Sequence, residues 1–597
     1  MTSEATTGVP SRSFRILPTE PVTVFPRIFG RRFAIASEHT LSALAGTQIA
    51  QAGGNAIDAA IAAVLVEGVV NPQMHTIGGE CPILVHQAGT SRVVAINGNM
   101  IAPGRATPEA FRSRGLSVIP PEGVLAAGVP GTFGALIEAL IRFGTMRLAD
   151  VISPALALAK DGFPVHAGLL QQHGYGIAAN AAKFRAQWPG SAALYLPGNE
   201  PPREGAPLQN PALANTFQYL ADAERKAGGN RESALRAAFH AFYQGEIAHE
   251  IAAYVAAHDG LLGLEDMAAF TAPIEPTASL EFGGATLHKC GAWNQGPALL
   301  QALSILKNVD LAAMGHNSAE YLHTIIEAVK LAWADREQYY GDPAHIEVPL
   351  ETLLSDAYGT MRADLITPAA SDSMRPGDPW RHTSVLPIHE RLGGTAWGPG
   401  TVHVDTMDAA GNACAATPSG AWIRAAEVIP ALGFPLGARL SNCQLTQGFP
   451  NIVAPGKRPR TTISPSLAMK DGKSWLAFGS MGGDQQDQWQ LQFYLNRIVF
   501  GMTLQQSIEA PKFSSEHFPA QFHPHAHVLN RVRIEPDVGP AILQSLRQSG
   551  HIVDVGPSWT EGFLCATERN PETAMLEAGC DPRSVKSDVF PACALAY

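Results

Sequence analysis

The chain is 597 residues long, 46% of them apolar, with a formal net charge of -11 and a pI near 6.0. This composition can bury a large core and interleaves both charge signs, which excludes a disordered chain and argues against a nucleic-acid or anionic-membrane partner. Seven cysteines (Cys81, Cys290, Cys414, Cys443, Cys565, Cys580 and Cys593), none in a C-x-x-C pair, are expected to be reduced thiols of a cytoplasmic protein and not a disulfide framework.

The opening segment MTSEATTGVPSRSFRILPTEP has no basic stretch followed by an apolar run, so no signal peptide is expected. Residues 33–165 alternate β-like runs (FAIAS, PILVHQ, RVVAIN) with Ala-rich helical patterns, among them NAIDAAIAAVLVEGVV, which Asn55 can cap. The run from Ala56 to Val70 carries Asp58 and Glu67 and is too short to span a bilayer. Residues 166–275 carry apolar residues at three- and four-residue spacing and predict a helical layer or lobe.

A polar, Pro/Gly-rich stretch over 367–400, ending LGGTAWGPG, has the composition of a long loop. It feeds into TVHVDTMDAAGNACAATPSG, whose Asp408 to Asn412 turn predicts a hairpin. A second hairpin follows in SLAMKDGKSWLAFGS, with Asp471-Gly472 at its turn, and then a helix over QDQWQLQFYLNRIVFG. The mixture reads as α+β, with a break in polarity just before Thr401.

That break matters because a threonine hydroxyl is a weak nucleophile near neutral pH and needs a base. Its own α-amine serves only if the residue is N-terminal, so residue 401 qualifies only after a backbone cut. Gly400 offers no side chain to obstruct attack by the Thr401 hydroxyl on the preceding carbonyl. Such a cut leaves two pieces, 1–400 (with the helical lobe at about 166–275 and the leader at about 367–400) and 401–597. Downstream, GSMGGD sets Gly482 and Gly483 ahead of a helix, where two unhindered N–H groups can form an oxyanion hole or simply an ordinary strand-to-helix turn.

The blocks AIASEHTLSALAGTQIAQAGGNAIDAAIAAVL, VPGTFGALIEALIRFG, ISPALALAKDGFPV, GTVHVDTMDAAGNA, GKRPRTTISPSLAMKDGK, GSMGG, IVFGMTLQQSIEAPKF and DPRSV, in this order, resemble the γ-glutamyltranspeptidase family. The resemblance implies an N-terminal-nucleophile hydrolase, a four-layer αββα sandwich divided into large and small subunits by autoproteolysis. It also implies roles. Thr401 matches the nucleophile, Ser419 a hydroxyl residue that assists it, Thr461 and Thr462 a pair that binds the substrate carboxylate, and Gly482 and Gly483 the oxyanion hole.

Departures from the family pattern bear on the substrate. The arginine that pairs with a γ-glutamyl carboxylate falls at Asn99, and the asparagine beyond the Ser419 position is Ala421. The paired acidic residues are replaced in CQLTQGF by Thr446, Gln447 and Gly448, with Gln444 kept. A buried charged substrate group without its partner costs several kcal/mol, so a free γ-glutamyl donor is disfavoured. The remaining candidates, Asn99, Gln444, Gln447, Thr461, Thr462 and Asp484, form a mostly neutral set suited to a small polar amide, similar to the oxamate-amidohydrolase-like and cephalosporin-acylase-like branches.

Other signals are weaker. His523, His525 and His527 alternate as metal ligands on a strand would, but Pro524 breaks a regular strand and a solvated loop is expected instead. His403 and Asp405 share the Thr401 face by period two, yet a separation of about 6–7 Å predicts no direct hydrogen bond between them, leaving Asp405 to pair with a neighbour such as Arg424. Trp422 and Arg424 either cap the pocket, with Arg424 holding a substrate carboxylate, or form an exposed loop pair.

The expected function is amide hydrolysis through a Thr401 acyl-enzyme, without metal or organic cofactor, in a protein made of its own two subunits, with a dimer of such heterodimers left open. Acyl transfer to an amine, as in a transpeptidase, is one alternative. An uncleaved, inactive binding homologue is the other.

Overall fold

The computed structural model describes residues 23–171, 174–380, 400–586 and 590–597. The 381–399 part of the expected leader lies outside the described residues, while 367–380 is irregular. Two seven-stranded, antiparallel sheets form the centre. One runs Cys593–Ala596, Phe33–Ser37, Val404–Asp408, Ala413–Ala416, Ile83–His86, Val93–Ile96, Ile274–Pro276. The other runs Ile28–Gly30, Leu576–Cys580, Leu564–Arg569, Lys473–Ser480, Ser466–Lys470, Ala285–Lys289, Ala278–Phe282.

Small apolar residues make the sheet-on-sheet contact: Ala34, Ala36, Ala413 and Ala415 of the first sheet meet Leu467, Ala477, Cys565 and Ala578 of the second. Outside the first sheet lie Thr40–Gln51 and Ala56–Val70, and outside the second lie Gly296–Leu306, Ala319–Tyr339 and Gln486–Ile498. This is the four-layer αββα sandwich. The helices between 167 and 268 extend the first outer layer, since Phe217, Phe242 and Ile251 share one apolar cluster with Ile61 and Val64.

Local chemistry accounts for these elements. Every residue of Ala56–Val70 is buried, and Asn55 opens the helix with a capping box closed by Asp58. Asp58 is itself satisfied by the Thr145 hydroxyl at 2.6 Å and the Met146 N–H at 3.2 Å, so a buried carboxylate pins a distant loop. In the first expected hairpin, Asp408 accepts from the N–H groups of Gly411 and Asn412, at 3.1 and 3.0 Å. The second turns on Asp471 and Gly472, with φ of 51° and 71°.

Strands from both sides of residue 400 alternate in the first sheet. Val404–Asp408 pairs with Phe33–Ser37, and Ala413–Ala416 pairs with Ile83–His86. The 401–597 segment is therefore held by sheet hydrogen bonds that do not depend on the 400–401 peptide bond. Among the described residues, no helix is long and apolar enough to cross a membrane.

Candidate functional site

Thr401 stands just before the central strand Val404–Asp408 and bridges Ser419, at the end of the hairpin. Both side chains are fully buried. Thr401 Oγ1 lies 3.1 Å from Ser419 Oγ and 2.8 Å from the Gly400 carbonyl oxygen. The same oxygen accepts from the Ser419 hydroxyl at 2.7 Å and from the Trp422 indole N–H at 2.8 Å, the latter shared with Met74 O at 3.0 Å.

Ser419 is fixed on the side away from Thr401. Its N–H donates to Glu80 O and the Glu80 N–H to Ser419 O, both at 2.9 Å. A Cβ at Gly79 would stand 2.2 Å from Ser419 O, so this approach requires glycine. Arg439 donates from Nη2 to Ser419 Oγ at 2.9 Å, pairs through Nε with the buried Glu80, and lies over the Trp422 ring at 5.0 Å. Burial raises the Glu80 carboxyl and Arg439 pulls it back. His75, with Nδ1 3.3 Å from Ser419 O, is pushed down to about 3 by burial and is neutral at working pH.

No hydrogen bond joins His403 and Asp405, as expected, but the two side chains lie closer than the expected separation. His403 Nε2 approaches Asp405 Oδ1 at 2.9 Å, off the hydrogen-bond direction, and His403 Nδ1 lies 2.9 Å from Thr417 Oγ1. The Cα spacing is that of a strand, but the imidazole is long enough to reach along it. A Cβ at Gly479 would meet this ring at 2.3 Å, so the second sheet closes over the pair. Burial pushes Asp405 up to about 6, with His403 opposing. Arg424 is not its partner and lies instead over the rings of Tyr175 and Trp422, at 4.5 and 4.8 Å.

The glycine pair forms a turn that only glycine adopts easily, with φ of 125° at Gly482 and 61° at Gly483. Met481 packs with Val402 and Met74, which brings this turn against the residue following Thr401. The turn leads into Gln486–Ile498, and Gln295 Nε2 holds Gly483 O at 3.1 Å.

The proposed substrate residues divide. Asn99 Nδ2 and Thr461 Oγ1 meet at 3.3 Å, and the buried Thr462 hydroxyl has no hydrogen-bond partner among the described residues. Asp484 is clasped by Arg336 Nη1 at 2.6 Å and the Gln521 N–H at 2.9 Å, so both of its carboxylate oxygens are engaged within the fold. Gln444 is half-buried, its N–H on Asn451 O at 3.1 Å, and Gln447 is exposed on the following turn. Sequence reasoning missed Arg439 and Glu80, and also Arg458, whose Nη1 donates to Asn99 O at 2.6 Å. The surroundings of Thr401 are therefore not neutral.

His523, His525 and His527 lie in an irregular segment, with His525 Nδ1 2.8 Å from Ala520 O. His323, Glu327 and His551 are the group with ligand-type atoms close together among the described residues. Each of the three is already engaged by a hydrogen bond, although His551 Nδ1 has no partner among the described residues. His323 Nε2 reaches Thr367 O at 2.7 Å and His551 Nε2 reaches His323 Nδ1 at 2.9 Å, while Glu327 binds Lys330 at 2.6 Å and Arg375 at 2.8 Å. Two cations on that carboxylate oppose a third.

The model of the family described as Gamma-glutamyltranspeptidase matches residues 42–590. The chain is 31% identical over 568 residues to the Acylase ACY 1 proenzyme of Pseudomonas sp. (strain SE83), covering 92% of each. It is 29% identical over 596 residues to the Glutathione hydrolase proenzyme of Escherichia coli (strain K12), covering 95% of this chain and 94% of that one. The solved structure of LmbA2991HD superposes with a TM-score of 0.91 at 38% identity, over 97% of this chain and 100% of that one. With a family model spanning most of its length and relatives matched over nearly all of it, this chain belongs to the γ-glutamyltranspeptidase family of N-terminal-nucleophile hydrolases.

Proposed function

We propose that the chain cuts itself between Gly400 and Thr401 and that the freed Thr401 hydrolyses a small polar amide. The observation that carries this reading is the contact of Thr401 Oγ1 with both Ser419 Oγ and the Gly400 carbonyl oxygen, at 3.1 and 2.8 Å, in a fully buried site. After the cut, the Thr401 α-amine serves as base. Oγ1 attacks the amide carbon, the proton goes by way of the amine to the leaving nitrogen, and an ester forms on Thr401. The Gly482 and Gly483 N–H groups stabilise the oxyanion, and water releases the acid. The proenzyme names of the acylase and glutathione hydrolase relatives support the cleavage, and the acylase name supports hydrolysis at an acyl group.

Gel electrophoresis and intact mass of the purified protein test the cut, with two fragments expected, the smaller beginning at Thr401. Thr401→Ala is expected to stay whole and lose turnover against small amides. Wild-type protein that stays whole after prolonged incubation refutes the cut, and turnover by Thr401→Ala moves the nucleophile elsewhere. Release of aniline from γ-glutamyl anilides at rates matching those of other amides refutes the substrate class.

A further inference from the structure

The scissile carbonyl sits in a complete set of donors whose proton directions are fixed by the identity of the partners. Arg439 can only donate, so its Nη2 at 2.9 Å takes one lone pair of Ser419 Oγ. The Gly400 carbonyl can only accept, so the Ser419 proton points to it, at 2.7 Å. Trp422 Nε1 can only donate and fills the second lone pair of the same oxygen, at 2.8 Å. Thr401 Oγ1 lies within donating distance of both Gly400 O, at 2.8 Å, and Ser419 Oγ, at 3.1 Å, and with Gly400 O already doubly occupied its proton is free to turn to the remaining lone pair of Ser419 Oγ. All of these groups are buried.

We propose that the Trp422 indole N–H and the Ser419 hydroxyl form an oxyanion hole for self-cleavage, separate from the Gly482-Gly483 pair, and that Ser419 relays the Thr401 proton to it. This rests on the self-cleavage reading above. Thr401 Oγ1 bonds to the Gly400 carbonyl carbon as the C=O π pair moves onto oxygen. The Thr401 proton passes to Ser419 Oγ while the Ser419 proton passes to the Gly400 oxygen, giving a neutral five-membered hydroxy ring. Before the cut the Thr401 nitrogen is an amide and cannot act as base, and the relay needs none. In the collapse the C–N bond breaks and its electron pair goes to the Thr401 nitrogen. That nitrogen gains a proton as the hydroxyl proton returns through Ser419 and C=O re-forms. Water then splits the Thr401 ester into a Gly400 carboxylate and the free Thr401 hydroxyl.

The Trp422 contact also explains why residue 400 is glycine. A Cβ there would stand 2.6 Å from both Cδ1 and Nε1 of the indole, so the ring occupies the space of a side chain. Arg439 over the Trp422 ring at 5.0 Å holds the indole in place, and Phe522 only packs beside it, 6.0 Å between centroids.

The test is the conversion rate of freshly made full-length chain, followed by intact mass in wild type, Trp422→Phe and Phe522→Leu. Trp422→Phe keeps a ring and loses the N–H, and about a 100-fold slower conversion is expected, as for loss of one oxyanion donor. Phe522→Leu disturbs the packing and keeps the donor, and conversion close to wild type is expected. Wild-type rate in Trp422→Phe overturns the assignment while leaving self-cleavage standing, and equal slowing in both variants assigns the effect to packing and also overturns it. A wild-type chain that never cuts overturns both readings. If Trp422→Phe does not fold, Ser419→Ala and Ser419→Thr decide: Ala is expected to stay whole and Thr to restore the cut, and wild-type conversion of Ser419→Ala overturns the relay.

Discussion

One methyl group at Gly400 is expected to slow self-cleavage by about 5- to 150-fold. The obstacle to alanine at Gly400 is space. Its Cβ would lie 2.6 Å from Trp422 Cδ1 and Nε1 and 3.0 Å from Gln73 O, and both neighbours are buried. Reaching an ordinary contact requires a shift of roughly 0.8 Å, and overpacking of this kind costs about 1–3 kcal/mol. A backbone shift of that size stretches the 2.7 and 2.8 Å hydrogen bonds to Gly400 O beyond the usual limit of about 3.2 Å. Losing one or two such bonds costs about 1–3 kcal/mol of transition-state stabilisation, which gives the stated range. The assay is a gel time course of the 63.3 kDa chain converting to fragments, beside melting curves of Thr401→Ala with and without the extra methyl. Conversion of Gly400→Ala within roughly twofold of wild type would show that the carbonyl does not need its place, and the donor argument fails.

Two further outcomes follow from buried charge. Asp405 is raised from 3.8 to about 6 in the fold, so the folded chain holds this proton more tightly than the unfolded one. Its contribution is full below 3.8 and lost as pH rises through 6, a swing of roughly 3 kcal/mol at most. Asp405→Asn is therefore expected to gain in melting temperature over wild type as pH rises from 4 to 7, and a difference independent of pH refutes this. Glu327→Gln removes the counter-charge of the buried Lys330, 2.6 Å away, and is expected to lower unfolding free energy by about 3–5 kcal/mol in urea titration. An unchanged midpoint refutes the pairing.

What could be read from the sequence was local. Asn55 and Asp58 are three residues apart, Asp471-Gly472 forms its own turn, and Gly482-Gly483 needs only its own torsion angles. Thr401 was legible through a change of polarity and a motif. What escaped depends on segments that meet only in the fold. Glu80, Ser419 and Arg439 come from three separate turns, and nothing near Arg439 marks it as a partner of a serine hydroxyl. Asp484 directly follows Gly482 and Gly483, yet Arg336 on a distant helix claims it. For His403 and Asp405, backbone spacing was a poor guide because the reach of the imidazole decides the contact.

The donor set around Gly400 O has a consequence for the cleaved protein. When the 400–401 bond is cut and the new Gly400 carboxylate departs, the Ser419 hydroxyl loses its acceptor in a buried site, at a cost of about 1–3 kcal/mol, while the Trp422 N–H keeps only Met74 O at 3.0 Å. Arg439, although paired through Nε with Glu80, keeps an Nη1 with no hydrogen-bond partner among the described residues. Such a site favours an oxygen ligand, and a carboxylate most of all. Acetate or formate is therefore expected to raise the melting temperature of the cleaved protein, as any ligand that binds only the folded state does. The uncut Thr401→Ala chain supplies the control, because its own Gly400 carbonyl still fills the place, and no rise is expected there. Equal shifts in the two forms would mean that the anion binds elsewhere. A shift confined to the cleaved form and lost in Trp422→Phe would tie the response to the indole that held the scissile carbonyl.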